Sequence, residues 1–133
     1  MWTAELSVGD TAIDAQHQGL FQTTSRLLET IIDGVPDSEK IQEVIAFLDE
    51  YIATHFAFEE SYMYSYGYPE TEEHKMLHQN FTEQYTQLKK KIDIIKPTTT
   101  SLLNLENFLG QWLVHHIGKE DKKYHQYIKE HRQ

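Results

Sequence analysis

Residues 41–63, IQEVIAFLDEYIATHFAFEESYM, decide the fold of this 133-residue chain. Their apolar side chains recur every three or four residues, which is the period of an α-helix with one buried face. His55 and Glu59 continue the same stripe, and because they are four residues apart they stand one above the other on the helix. One such pair indicates little, but several pairs, each within the apolar stripe of its own helix, predict a metal centre inside a helical bundle. The whole stripe comprises Ile41, Val44, Ile45, Leu48, Ile52, His55, Glu59 and Met63.

Three proline-containing breaks, at residues 33–38, 66–71 and 96–101, divide the chain into four segments with this helical period. Each break combines signals that end one helix or begin the next: Gly34 and Gly67 as stops, and Asp37 and Ser38 as N-caps. Short connections between long helices favour antiparallel neighbours. The sequence therefore predicts an all-α, up-down-up-down four-helix bundle. We expect a single domain over residues 1–133, with an N-terminal arm (1–12), the bundle (13–121) and a short helical tail (122–133).

Composition and charge exclude several classes of function. There is no cysteine, so histidine and carboxylate are the strong metal ligands available. The net charge of -9, from 12 basic and 21 acidic residues, argues against nucleic-acid binding, which needs a basic surface. No apolar run approaches the roughly 18 to 20 residues of a membrane span. The N-terminus lacks the basic and apolar regions of a secretory signal, so we expect a cytoplasmic protein with no membrane partner.

Five histidines occupy the predicted inner faces at matching heights. In an antiparallel bundle, a position early in one helix lies level with a position late in the next, so these histidines should meet at one end. Burying them with two carboxylates would cost several kcal/mol per uncompensated charge, a cost that bound cations remove. His115, His125 and His131 lie off these stripes and are interpreted as surface residues. The inner-face group is His17, His55, Glu59, His74, His78, His116 and Asp121.

These residues resemble the hemerythrin family, and within it the single-domain bacterial form. The resemblance runs from about residue 8 to residue 121 and is strongest at three motifs. The first joins His55, Phe56 and Glu59, with Met63, Tyr68 and Pro69 following. The second is His74 and His78 with Phe81. The third is Trp112, Leu113, His116, Ile117 and Asp121.

The resemblance implies two iron ions joined by an oxo or hydroxo bridge. His74, His78 and His116 would bind one iron, His17 and His55 would bind the other, and Glu59 and Asp121 would bridge them. By this ligand count, one coordination position stays open on the iron with two histidines. The function implied is reversible binding of dioxygen, for transport, storage or delivery, by a protein that is not an enzyme. We expect apolar walls around the open position from Leu20, Phe56, Trp112, Leu113 and Ile117, which would slow irreversible oxidation.

Asp121 poses a geometric problem, because it follows His116 by five residues. On an ideal α-helix that spacing places it about 140° round the axis, away from the histidine. Glu120 is the competing ligand on helical geometry alone, and the family resemblance decides for Asp121. We expect the helix to distort or to end near Gly118.

Three alternative functions remain open from the sequence. One is a sensory domain in which ligand state controls a partner. Another is a di-iron oxidase or a peroxide- or nitric-oxide-consuming enzyme. A zinc protein is the weakest alternative, because seven ligands exceed what four-coordinate zinc needs. The recipient of the oxygen, or a reductase, is not identified by the sequence.

Overall fold

The computed structural model describes residues 2–32, 35–93 and 95–131. Its helices are α1 (Thr11–Glu29), α2 (Ser38–Ser65), α3 (Thr71–Lys90), α4 (Thr99–His115) and α5 (Lys122–His131). A π-helical segment, His116–Asp121, joins α4 to α5, and the N-terminal arm contains a short 3-10 helix, Ala4–Leu6. The first four helices pack in sequence order, and α4 returns against α1 to close the bundle. The predicted all-α four-helix bundle is confirmed.

The connection between α2 and α3 shows why the second break works. Gly67 has a φ of +66°, the left-handed conformation that glycine adopts most readily. The Tyr68 N–H donates to the Met63 carbonyl at 3.0 Å and the Gly67 N–H donates to the Tyr64 carbonyl at 3.1 Å. This pair of bonds is a Schellman motif, which satisfies carbonyls at the end of α2. It also turns Tyr68 back onto Met63, next to the C-terminal helix.

The connection between α1 and α2 contains a feature that the sequence did not predict. Ile31–Ile32 and Val35–Pro36 form a two-residue antiparallel pair, with Ile32 opposite Val35. Elements this short have no measurable period. The predicted N-cap Asp37 is confirmed, because its side chain accepts a hydrogen bond from the Lys40 N–H at 3.1 Å. The predicted stop at Gly34 lies outside the described residues.

The main core fills the bundle with buried aliphatic and aromatic side chains from all four helices. The arm contributes buried Leu6, and Trp2 and Val8 pack against the same core. A second, smaller cluster joins α2, the α2–α3 connection and α5 through Met63, Tyr68, Tyr124 and Ile128. No helix in the described ranges combines the length and apolar character needed to cross a membrane.

The C-terminal helix buries three residues, and the interpretation of His125 as a surface residue is wrong. His125 is only 7% exposed, because its ring packs 4.2 Å from the ring of buried Tyr124. Its neighbour on the other side is Tyr62, with ring centroids 5.8 Å apart. His115 and His131 are exposed, as predicted.

Candidate metal centre

Helices α1, α2 and α3, and the π-helical segment after α4, send ligand side chains to one point inside the bundle. All seven predicted ligand residues meet there, and each is at most 4% exposed. Their donor atoms form two groups within which all atoms lie within 4.8 Å of one another. The first group contains His74, His78 and His116, the second contains His17 and His55, and both include Glu59 and Asp121.

Asp121 holds the centre of the three-histidine group and also faces the second group. Its Oδ1 lies 3.1 Å from Nε2 of His74 and 3.1 Å from Nε2 of His116. Those two nitrogens are themselves 3.0 Å apart. The other oxygen, Oδ2, lies 3.2 Å from His17 Nε2. The carboxylate therefore presents one oxygen to each group, the arrangement that a bridging ligand requires.

Glu59 also lies between the two groups. Its Oε1 is 3.3 Å from His78 Nε2 and 3.5 Å from His55 Nε2, which belong to different groups. Its Oε2 is 3.7 Å from His17 Nε2. The same Oε2 accepts a hydrogen bond from the hydroxyl of Tyr124 at 2.8 Å. Tyr124 is fully buried and fixes the orientation of this carboxylate from α5.

A change of helix type brings Asp121 to the centre. The segment His116–Asp121 is π-helical, and the Lys122 N–H donates to the Ile117 carbonyl five residues back. With bonds between residues five apart, Asp121 follows His116 after about one turn instead of projecting from another face. The expected distortion is therefore present, whereas the helix does not end near Gly118 but continues into α5. Glu120 is half-buried and does not belong to either donor group.

The electrostatics of the cluster keep both carboxylates ionised. Burial and the nearby charge of Asp121 oppose ionisation of Glu59, but the surrounding imidazoles outweigh them and lower its pKa. Burial likewise opposes ionisation of Asp121, and His116, His17 and His74 hold its pKa well below the ordinary value. Burial disfavours the charged form of His17, yet Asp121 and Glu59 raise its pKa to about 9. The cluster is thus an anionic pair surrounded by imidazoles, which suits a cation.

The donor atoms fit metal ions better than they fit one another. Several have no hydrogen-bond partner among the described residues, although the imidazole nitrogens lie within ion-pair distance of the carboxylate oxygens. Their approach lacks the alignment of a hydrogen bond, so these buried polar atoms stay unsatisfied. Donors about 2.1 Å from a shared ion and at right angles to it lie about 3 Å apart, close to the spacings around Asp121 Oδ1. The unsatisfied atoms are Nδ1 and Nε2 of His17, Oε1 of Glu59, Nδ1 of His74, Nε2 of His78 and both carboxylate oxygens of Asp121.

Of the five predicted pocket side chains, Leu20, Phe56, Leu113 and Ile117 belong to the main core, and Trp112 packs against it. Leu20, Leu113 and Ile117 are at most 4% exposed, and Phe56 is 7% exposed. The Phe56 ring stacks on His78 with centroids 3.8 Å apart, and partly buried Trp112 stacks on His116 at 4.2 Å. These two aromatic rings therefore lie against the three-histidine group, while the resemblance places the open position on the other iron.

Three functional contacts were missed from the sequence. Tyr124 donates to Glu59, as described above. His55 Nδ1 lies 2.6 Å from Oε1 of Gln16, and His78 Nδ1 lies 2.8 Å from Oε2 of Glu60. Tyr124 follows Asp121 by three residues, a spacing that offered a signal. Gln16 and Glu60 are chain neighbours of donors, and spacing alone does not distinguish such neighbours from a solvated face.

Comparisons with known proteins agree with this geometry. A family model described as "Hemerythrin HHE cation binding domain" matches residues 8–128. A bacteriohemerythrin of Stenotrophomonas maltophilia is 29% identical over 98% of this chain and 82% of its own length. One from Pseudomonas paraeruginosa is 31% identical over 93% of this chain and 78% of its own length. A myohemerythrin of Theromyzon tessulatum is 28% identical over 92% of this chain and 88% of its own length.

A solved structure of a leucine-to-phenylalanine variant has the same fold. It superposes with a TM-score of 0.80 at 27% identity, covering 96% of this chain and 95% of that one.

Proposed function

We propose that this chain, which belongs to the hemerythrin family, binds dioxygen reversibly at a pair of iron ions. One observation carries the proposal: seven buried donor side chains form two groups that share both carboxylates. A single ion would need only one such group. Two groups with common bridging oxygens suit two ions held close together, because each shared carboxylate can bind both.

The ligand roles follow the two groups. His74, His78 and His116 would hold one iron, and His17 and His55 would hold the other. Glu59 and Asp121 would bridge them, with an oxo or hydroxo bridge between the ions. Nine donor bonds from the protein and two from that bridge leave one position of two octahedral sites open. Iron bound in this way supplies the reversible one-electron chemistry and the open position that oxygen binding needs.

The surrounding residues exclude water from the site. Leu20, Leu113 and Ile117 are almost fully buried beside the cluster and offer no polar atom in their side chains. Apolar walls of this kind slow the entry of protons and anions that would drive irreversible oxidation. Leu6 of the arm lies against Gly118 of the π-helical segment, and Tyr124 of α5 donates to Glu59. We therefore treat arm, bundle and C-terminal helix as one functional domain.

We propose a binding protein and not an enzyme because of the donor set. Imidazoles outnumber carboxylates by five to two in the cluster. Oxygen-activating bundles commonly use a carboxylate-rich set built from Glu-x-x-His pairs. A more neutral set, with both carboxylates used as bridges, is less able to stabilise iron in high oxidation states.

Oxygen titration of the reduced protein tests this function. The iron-loaded protein is reduced without oxygen, titrated with dioxygen and then flushed with argon, while its absorption spectrum is followed. We expect uptake of one dioxygen per two irons and recovery of the reduced spectrum under argon. Continuous oxygen, peroxide or nitric oxide consumption with an electron donor, without release of bound oxygen, would contradict a carrier.

Adjacent histidines provide a matched pair of variants for the same titration. His116 is buried in the cluster, whereas His115 is exposed on α4. His116→Ala should lose iron and oxygen uptake, and His115→Ala should retain both. Equal losses in the two variants would show that the buried cluster is not the oxygen site.

A further inference from the structure

One histidine in each donor group has an outer hydrogen-bond partner on a neighbouring helix. His55 of the two-histidine group meets the amide oxygen of Gln16 at 2.6 Å. His78 of the three-histidine group meets the carboxylate of Glu60 at 2.8 Å. In both cases the outer partner contacts Nδ1, while Nε2 faces Glu59 Oε1 inside the cluster. The two groups therefore have the same arrangement with chemically different acceptors.

An acceptor at Nδ1 determines which ring nitrogen carries hydrogen. Because the Gln16 and Glu60 oxygens accept hydrogen bonds, Nδ1–H donates and the lone pair of Nε2 points into the cluster. Such outer partners orient a ligating imidazole and raise its basicity. The acceptors are a neutral amide in one group and a carboxylate in the other. Hydrogen bonds to an ionised acceptor are roughly twice as strong as those between neutral groups.

The positions of both acceptors are fixed by the bundle. Gln16 immediately precedes the donor His17, and its backbone carbonyl accepts a hydrogen bond from the Tyr51 hydroxyl at 3.0 Å. Tyr51 can approach α1 this closely because Gly19 has no Cβ; a Cβ there would collide with the Tyr51 hydroxyl. Glu60 immediately follows the donor Glu59, and its side chain is 27% exposed. Each acceptor is thus next in sequence to one metal ligand and hydrogen-bonds another: Gln16 is adjacent to His17 and contacts His55, and Glu60 is adjacent to Glu59 and contacts His78.

We propose that Gln16 and Glu60 are positioning residues that make the two metal sites unequal. Glu60 strengthens the three-histidine site through His78, so this site binds the first divalent ion. Gln16 orients His55 without adding charge, so the two-histidine site binds the second ion more weakly. This inference rests on the two-ion site of the proposed function. It concerns the order and strength of metal binding and does not depend on oxygen.

Zinc titration by calorimetry tests the inference on the intact chain after chelator treatment. We expect two binding steps in the wild-type protein. Glu60→Gln keeps an acceptor of the same shape but removes its charge, and should weaken the first step about 10-fold. Glu60→Ala removes the acceptor and should weaken it by about 10- to 100-fold. Gln16→Glu should strengthen the second step and reduce the difference between the two.

Matched controls separate a hydrogen bond from a general effect of charge. Glu43→Gln removes the same charge from an exposed position on α2, about 25 Å along the helix from Glu60. Gln22→Glu adds the same charge as Gln16→Glu at an exposed position on α1. Neither control should change either binding step by more than about twofold. Equal effects of Glu60→Gln and Glu43→Gln would overturn the proposal.

Nitrogen NMR of the zinc-loaded protein provides a second measurement, which would stay unchanged if Glu60 had only a structural role. It reports which nitrogen of His55 and His78 carries hydrogen and how fast that hydrogen exchanges with water. We expect slow exchange at Nδ1 of His78 in the wild type and in Glu60→Gln, and fast exchange in Glu60→Ala. Unchanged exchange in Glu60→Ala would refute the role of Glu60. If Glu60→Ala does not fold, the isosteric Glu60→Gln decides through the zinc titration.

These measurements distinguish this inference from the proposed function. A protein with two unequal zinc sites that does not release oxygen would refute the carrier function and leave the positioning role intact. If the protein binds oxygen reversibly but the Gln16 and Glu60 variants bind zinc like the wild type, the positioning role is refuted and the carrier function stands.

Discussion

Replacing Tyr124 by Phe tests how far the C-terminal helix supports the metal centre. The substitution removes one oxygen atom, the hydroxyl that donates to Glu59 Oε2 at 2.8 Å. Tyr124 and Glu59 are both fully buried, so water does not readily replace the missing hydroxyl as a donor to Glu59. The ring itself stays in place, packed between Tyr62, Tyr68 and His74. The change therefore isolates one hydrogen bond.

The expected loss follows from the charge of the acceptor. A hydrogen bond to a charged group contributes about 1.5 to 3 kcal/mol to stability. Glu59 is ionised in the folded protein, because the neighbouring imidazoles lower its pKa against the opposing effects of burial and Asp121. We expect Tyr124→Phe to reduce the free energy of unfolding by about 2 kcal/mol. For a chain of this length, that loss corresponds to a fall in Tm of about 7 °C.

Urea denaturation followed by circular dichroism, on protein stripped of metal, measures this loss. Tyr127→Phe is the matched control, because Tyr127 is half-buried on the same helix and its hydroxyl has no hydrogen-bond partner among the described residues. The control should change stability by less than about 0.5 kcal/mol. A double-mutant cycle with Glu59→Gln should give a coupling energy of about 1 kcal/mol or more. Equal losses in the two tyrosine variants would refute the assigned contact.

Three further predictions concern residues around the same centre. His125→Ala should cost about 1 to 3 kcal/mol in urea denaturation, because the ring is buried on Tyr124, and should leave iron content unchanged; iron loss would assign it a direct role. Leu113→Ala should reduce the free energy of unfolding by about 2 to 5 kcal/mol and should speed autoxidation in stopped-flow measurements. The control is Leu109→Ala, which truncates a similarly buried leucine seven residues before His116 and should speed autoxidation less. Equal rates in the two variants would show that Leu113 contributes only to core packing. The pKa of His17 is raised from 6.5 to about 9. Its protonated form should therefore stabilise the metal-free protein by about 3 kcal/mol below pH 6.5, and this contribution should be lost as the pH rises to 9. If His17→Gln leaves the pH dependence of stability unchanged, this prediction is contradicted.

The fold could be predicted because its signals are local. The stripe over residues 41–63 and the turn at Gly67 each depend on a few neighbouring residues. The meeting of His55 with His78 at one level follows from helix lengths and antiparallel packing, which the breaks determine. The placement of Asp121 did not follow from the period. It depends on a π-helical segment, and the spacing in the sequence by itself favoured Glu120.

The contacts that Tyr124, Gln16 and Glu60 make with the metal ligands could not be predicted from the sequence for a different reason. Tyr124 and His125 lie in a short helix rich in charged residues, where only three positions are buried. Gln16 and Glu60 lie at the edge of buried stripes, and both are only partly buried. An edge position becomes a contact or a solvated side chain depending on how two helices rotate against each other, and that rotation is not contained in either helix alone.

Counting the metal ions in purified, iron-reconstituted protein tests the central claim most directly. Elemental analysis against protein concentration should give two irons per chain, because two groups of donors share Glu59 and Asp121. One iron per chain at saturation, or zinc alone in protein that still takes up and releases oxygen, would contradict the account.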